Sequence, residues 1–188
     1  MSQFISRIKT ATASLHAELE ETAISKAIMS ASITKVEYAN YLSRILVMHK
    51  SVEEKTLPIV QRIIRDYAER YKTRSIEEDL NQLAYSEIWN EPFFDKNYST
   101  DLNFNLGLMY VTEGSVLGGQ VILKNIRKQL GEDAACRFLN VYGQTTGSLW
   151  KSFLMQLDQH EQTLSENEKD QIIEGAIYGF ERAYVILK

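Results

Sequence analysis

One cysteine, Cys136, is all this chain has, so no internal disulfide can staple it and no cysteine-built zinc site can form. Flanked as Ala134-Ala-Cys-Arg-Phe138, that thiol reads as a small buried hydrophobe in a reducing compartment. Two prolines and nine glycines in 188 residues leave little room for turn-rich β architecture. Basic residues form no block and the net charge is −4, so the electrostatic footprint of nucleic-acid binding is missing. No apolar run approaches the ~18 residues that a bilayer crossing needs. The opening Met1-Ser-Gln-Phe-Ile-Ser-Arg lacks a signal-peptide core, and a soluble, cytoplasmic protein with no membrane partner is expected. Strand-like alternation, internal repeats, a phosphate loop and a Ser/His/Asp arrangement are all lacking. Glu53-Glu54 and Glu77-Glu-Asp79 lack the Glu-x-x-His pattern of di-iron bundles and read as solvated faces.

What is present is helical spacing of apolar residues nearly throughout, which predicts one all-α domain over residues 1–188, a multi-helix bundle. Phe4, Ile5, Ile8, Ala11, Leu15 and Leu19 form a first stripe that continues toward Met29. Thr34-Lys-Val-Glu37 is a capping box, opening a long helix along Val36, Tyr41, Leu42, Ile45, Leu46, Met48 and Val52. Pro58 should kink or end that helix, with Ile59, Ile63, Ile64 and Tyr67 resuming the pattern. Ser75-Ile-Glu-Glu78 opens another helix reaching Trp89, followed by a loop over Asn90 to Thr100. Helices are then expected over Leu102 to about Leu130, Ala134–Tyr142 and Gly147–Gln159, with a last one starting at Ser165-Glu-Asn-Glu168.

The helix from Leu102 carries Tyr110-Val-Thr-Glu-Gly114-Ser-Val-Leu-Gly118-Gly119-Gln120. Each helix-interior glycine costs about 0.8–1.0 kcal/mol relative to alanine, so the run gives up roughly 3 kcal/mol. Gly114 and Gly118 share a face, and the bare backbone admits either a second helix or a planar ligand. Of three histidines, His160 lies in a polar connector and reads as solvated, and His49 reads as a satisfied boundary residue. His16 borders the first stripe with Glu20 one turn later. A carboxylate there can fix the imidazole tautomer and free the other nitrogen for a metal; the alternative is an ordinary helix-face histidine. A single axial imidazole plus a wall of glycines is what a heme sandwich requires.

Two anchors, Ala11-Thr-x-x-Leu15-His16-x-x-x-Glu20 and Tyr110-Val-x-Glu-Gly114-Ser115-x-Leu-Gly118-Gly119-Gln120, resemble the proximal and distal helices of biliverdin-producing heme oxygenases. The likeness is to the bacterial, phytochrome-associated branch. Leu46-Val-Met-His, Ile76-x-x-Asp79-Leu80 and Tyr142-Gly143-x-x-x-Gly147-x-x-Trp150-x-x-Phe153 extend it in order along the chain. The resemblance implies a heme oxygenase-like fold with His16 as axial iron ligand and Glu20 as its hydrogen-bonded neighbour. Gly114 and Gly118 would press on the distal heme face, Gly119 would allow a kink, and Lys9 would pair with a propionate. It further implies O2 and external electrons from a reductase or ferredoxin-type donor, and biliverdin, CO and Fe2+ as products. A biliverdin-using photoreceptor is a further implied partner.

Three positions depart from the pattern. Ser115 stands where animal-type members carry an aspartate that orders distal water, so the proton relay must use the hydroxyl, backbone carbonyls or water. Ala13 and Ile177 stand where relatives carry basic residues, with Arg182 or Lys151 as substitutes. The same scaffold also hosts non-catalytic heme binders, thiamine-degrading enzymes and cofactor-maturation oxidases, which remain alternative expectations.

Overall fold

Eight α-helices and no strand are found among residues 2–188, the part described in a computed structural model. Helix α1 (Gln3–Glu20) opens where the Ser2 hydroxyl accepts a hydrogen bond from the Ile5 N–H at 3.3 Å. It buries Phe4, Ile5 and Ile8, whereas Leu15 and Leu19 are half-buried and Ala11 is exposed. The stripe weakens because the second half of α1 borders a cavity rather than the core. Nor does α1 continue toward Met29: Thr22 accepts from Ser25 N–H and starts a separate α2 (Ala23–Ile28).

Helix α3 (Lys35–Ser51) begins with both bonds of the expected capping box, Glu37 N–H to Thr34 Oγ1 and Thr34 N–H to Glu37 Oε2. Val36, placed on the apolar stripe from the sequence, is 67% exposed. Ahead of Pro58 the helix widens into a π-turn, Val52–Thr56, and α4 (Leu57–Val60) takes the proline in its first turn. A missing N–H costs no intrahelical bond there. The helix does not resume through Ile63 and Tyr67; only a 3-10 turn, Tyr67–Glu69, follows.

Helix α5 (Thr73–Gln82) starts two residues before Ser75, because its cap comes from elsewhere in the chain. Glu53 Oε1, on the π-turn, accepts from Lys72 N–H at 2.5 Å and Thr73 N–H at 2.8 Å. The helix stops well short of Trp89, which lies in the following coil with the Arg44 guanidinium 3.8 Å from its ring centre.

The long α6 (Leu102–Leu130) is capped by Asp101 and ended by Gly131 at φ 101°. With α8 (Glu166–Leu187) it forms the most extensive helix contact, and α7 (Thr146–Glu161) packs alongside. The crossing is made possible by glycines outside the sequence motif. A Cβ on Gly107 would strike the Ile172 carbonyl, and one on Gly175 the Phe104 carbonyl. By length and composition α6 could cross a membrane, contrary to the reading that no such run exists, yet 56% of its apolar window is buried inside the protein. Residues 134–142 form turns, not the expected helix. The fully buried Asp79 carboxylate accepts from the Arg137 and Phe138 N–H groups, each at 2.9 Å, and holds the chain in that path.

Candidate functional site

A cavity of about 750 Å³ opens between α1 and α6, with α2, α3, α7, α8 and the turns around Phe138 and Leu139 completing its walls. From α1 come Lys9, Thr12, Ala13, His16 and Glu20; from α6 come Gly114, Ser115, Gly118 and Gly119. All seven residues singled out from the sequence therefore share one chamber. Its other walls are mostly apolar, and among the described residues Lys9 and Glu20 are its only formally charged lining residues.

The glycines of α6 differ from one another in what they face. A Cβ on Gly118 would meet no atom within 4 Å, so its backbone borders open space. At Gly114 the nearest group is Trp150, 3.6 Å from the Cβ position, and at Gly119 it is the Leu139 carbonyl at 3.8 Å. Among the described residues the patch is open at Gly118 and bordered by the Trp150 ring of α7 at Gly114, and α6 runs without interruption through it. The Ser115 hydroxyl donates to Thr112 O at 2.8 Å, which leaves its lone pairs as the free capacity.

His16 stands on the exposed part of α1, its ring edge-on to Phe180 at 5.6 Å. Its Nδ1 is 3.6 Å from Glu20 Oε1, past hydrogen-bond distance, with both side chains largely solvent-exposed. The pair is a loose contact one helical turn apart, not the expected hydrogen bond. Lys9 is exposed at the cavity edge. Arg182 is no substitute anchor: it holds Phe93 O, Pro92 O and Asp95, and does not line the cavity. Lys151 and Ile177 do not line it either.

Two other histidines correct the sequence reading. His160 is not simply solvated; it is half-buried with Nε2 3.0 Å from Asn103 Oδ1. His49 is no satisfied boundary residue. It is 1% exposed, lines the cavity, packs edge-on against Phe138 at 5.2 Å, and its Nε2 has no hydrogen-bond partner among the described residues. Burial, reinforced by the Lys72 ammonium, holds its pKa well below the ordinary 6.5, so the ring is neutral. Buried polar atoms are rarely left bare.

Sequence reasoning also passed over Glu113, whose carboxylate is buried beside Gly114. The signal was present: a carboxylate inside an apolar helical run needs partners. Those partners, Arg70, Lys72 and Tyr142, come from distant segments and have no sequence spacing to betray them.

The family model described as heme oxygenase matches residues 2–188. Among solved structures, the NO- and CO-bound heme oxygenase from Neisseria meningitidis is 23% identical with a TM-score of 0.76, covering 98% of this chain and 89% of that one. Heme oxygenase from Leptospira interrogans is 19% identical with a TM-score of 0.80, covering 99% and 98%. Heme oxygenase-1 from the cyanobacterium Synechocystis, in complex with heme, is 15% identical with a TM-score of 0.79, covering 99% and 91%. No curated protein sequence matches significantly.

Proposed function

The chain belongs to the heme oxygenase family and is a heme-degrading enzyme, and we propose that it holds its substrate in the cavity between α1 and α6 and releases biliverdin, CO and Fe2+. The observation that carries this placement is the shared chamber itself: an exposed imidazole on one helix and side-chain-free backbone at Gly118 on the other border the same open space. Its volume lies within the range of small-molecule sites, and its apolar walls suit a porphyrin face.

The residues present fit heme. Bound there, heme supplies the iron that takes O2 and the ring that is opened, acting as cofactor and substrate together. His16 would hold the iron through the nitrogen turned away from Glu20, with Glu20 biasing the tautomer by charge instead of a direct hydrogen bond. Lys9, the one lysine or arginine among the described residues that line the cavity, would pair with a propionate. Gly114 and Gly118 would let the α6 backbone approach the distal face, and Gly119, where a Cβ would meet only ordinary contacts with Leu139, would supply backbone freedom for a bend.

Proton handling falls to groups that the protein leaves available. Ser115 Oγ can accept a hydrogen bond from water, since its own proton is committed to Thr112 O. The neutral His49 ring lines the same chamber, with its Nε2 enclosed by the protein. Electrons come from an external reductase or ferredoxin-type donor, since the chain carries no flavin or nicotinamide fingerprint. A cytoplasmic, bacterial setting and delivery of product to a photoreceptor belong to the same proposal.

The test is an absorption titration with hemin, followed by reduction in air. Conversion to a bile-pigment spectrum with CO release supports the reading. A hemin complex that only autoxidises, or no complex at all, overturns it.

A further inference from the structure

Behind the glycine wall lies a charged cluster that the proposed chemistry does not use. Glu113 precedes Gly114 and is 3% exposed; Arg70 is 1% and Lys72 2% exposed. The Arg70 guanidinium donates to Glu113 Oε2 and, through its other terminal nitrogen, to Leu149 O at 3.2 Å. Lys72 Nζ donates to Glu113 Oε1 at 2.6 Å, and the Tyr142 hydroxyl donates to both carboxylate oxygens at 3.1 and 3.2 Å. Asp66 completes the charge balance by receiving Arg70, and is itself held by Ser152 and Gln156 of α7.

Arg70 thus bridges the residue before Gly114 and the residue before Trp150. Those two neighbours face each other, the Trp150 ring lying 3.6 Å from where a Cβ on Gly114 would stand, and both line the cavity. A planar fork is suited to this: it makes two directed bonds at once, which a lysine cannot reproduce. Burial and the Glu113 charge push the Tyr142 hydroxyl far up, so it remains a donor to the carboxylate.

We propose that Arg70 and Glu113 are positioning residues: their buried clamp sets how α6 is seated against Trp150, and so how closely the glycine wall approaches a bound porphyrin. The inference rests on the heme placement given above. Neither residue lines the cavity, so the clamp acts through Gly114 and Trp150.

Arg70→Lys keeps the charge and loses the bridge; Tyr142→Phe keeps every ion pair and removes one donor. Ile172→Val, in the core and away from the cavity lining, supplies a control for general loss of stability. Each is loaded with hemin, reduced under CO, and read by CO dissociation kinetics, with circular dichroism and melting of the unloaded protein alongside. Small displacements of positioned groups have large rate effects, so Arg70→Lys should change CO dissociation by about tenfold and Tyr142→Phe by a smaller factor. Ile172→Val should leave it within about twofold.

Native-like CO kinetics in a folded Arg70→Lys overturn the proposal, as does an equal change in Ile172→Val. Should Arg70→Lys fail to fold, Tyr142→Phe decides alone: a change supports the clamp and none overturns it. Failure of the native protein to bind hemin overturns the heme placement and this inference together. Normal native binding with unaltered variants overturns this inference only.

Discussion

His16 and His49 show how burial decides what an imidazole can do. His16 is exposed beside Glu20, so losing it should cost the fold little. His16→Ala is expected to change stability by no more than about 0.5 kcal/mol while abolishing the axial-histidine spectrum of the hemin complex; an unchanged spectrum would move the ligand elsewhere. His49 carries the opposite expectation. Its folded pKa lies below the ordinary 6.5, so the unfolded chain takes up a proton first as pH falls. The folded state therefore loses stability from about pH 6.5 downward, until the lowered folded value is reached. His49→Leu should remove that slope: melting temperatures compared at about pH 7.5 and about pH 5.5 should fall less in the variant than in the native chain. An identical fall in both would mean that His49 is not the group being charged.

Along α6, one residue type does two jobs that a single substitution can separate. Gly107 lies where a Cβ strikes backbone of α8, so Gly107→Ala should destabilise by about 3 kcal/mol or more. Gly118 faces empty space, so Gly118→Ala should stabilise the unloaded protein by about 0.5–1 kcal/mol through helix propensity alone. Urea unfolding of the two variants reads both signs. Gly118→Leu carries the second prediction further: the unloaded protein stays folded, while hemin titration shows weakened or lost binding because the side chain fills the chamber. Undiminished hemin binding and turnover in Gly118→Leu would show that the open patch is not where the substrate rests. Helix α5 illustrates the same dependence on distant partners. Its start is held by Glu53 from the π-turn, so Glu53→Ala should cost about 1 kcal/mol, as loss of a helix cap does.

Taken whole, the protein has a large, mostly apolar chamber between α1 and α6, so the substrate should contribute to its stability. Hemin at about 100 times its Kd should add about 2.7 kcal/mol, raising the melting temperature by about 5–10 °C. Much of this was legible from the chain. The helical class, the capping boxes at Thr34 and Ser165 and the extent of α6 follow from local rules, because caps and periodicity act within one or two turns. His16 and the Gly114–Gly119 run stood out for the same reason: a histidine with a carboxylate one turn on and glycines inside a helix are local anomalies. Long-range contacts wrote the rest. Turns over 134–142 are imposed by Asp79 and the start of α5 by Glu53, each reaching across many residues to take backbone N–H groups. The fate of His49, the close crossing at Gly107 and Gly175, and the pairing of Arg70 with Glu113 likewise came into view in three dimensions. Local propensity determines where a helix begins and which face is apolar; which polar atom ends up bare, and which glycine meets a neighbour's backbone, depends on where the other helices come to rest.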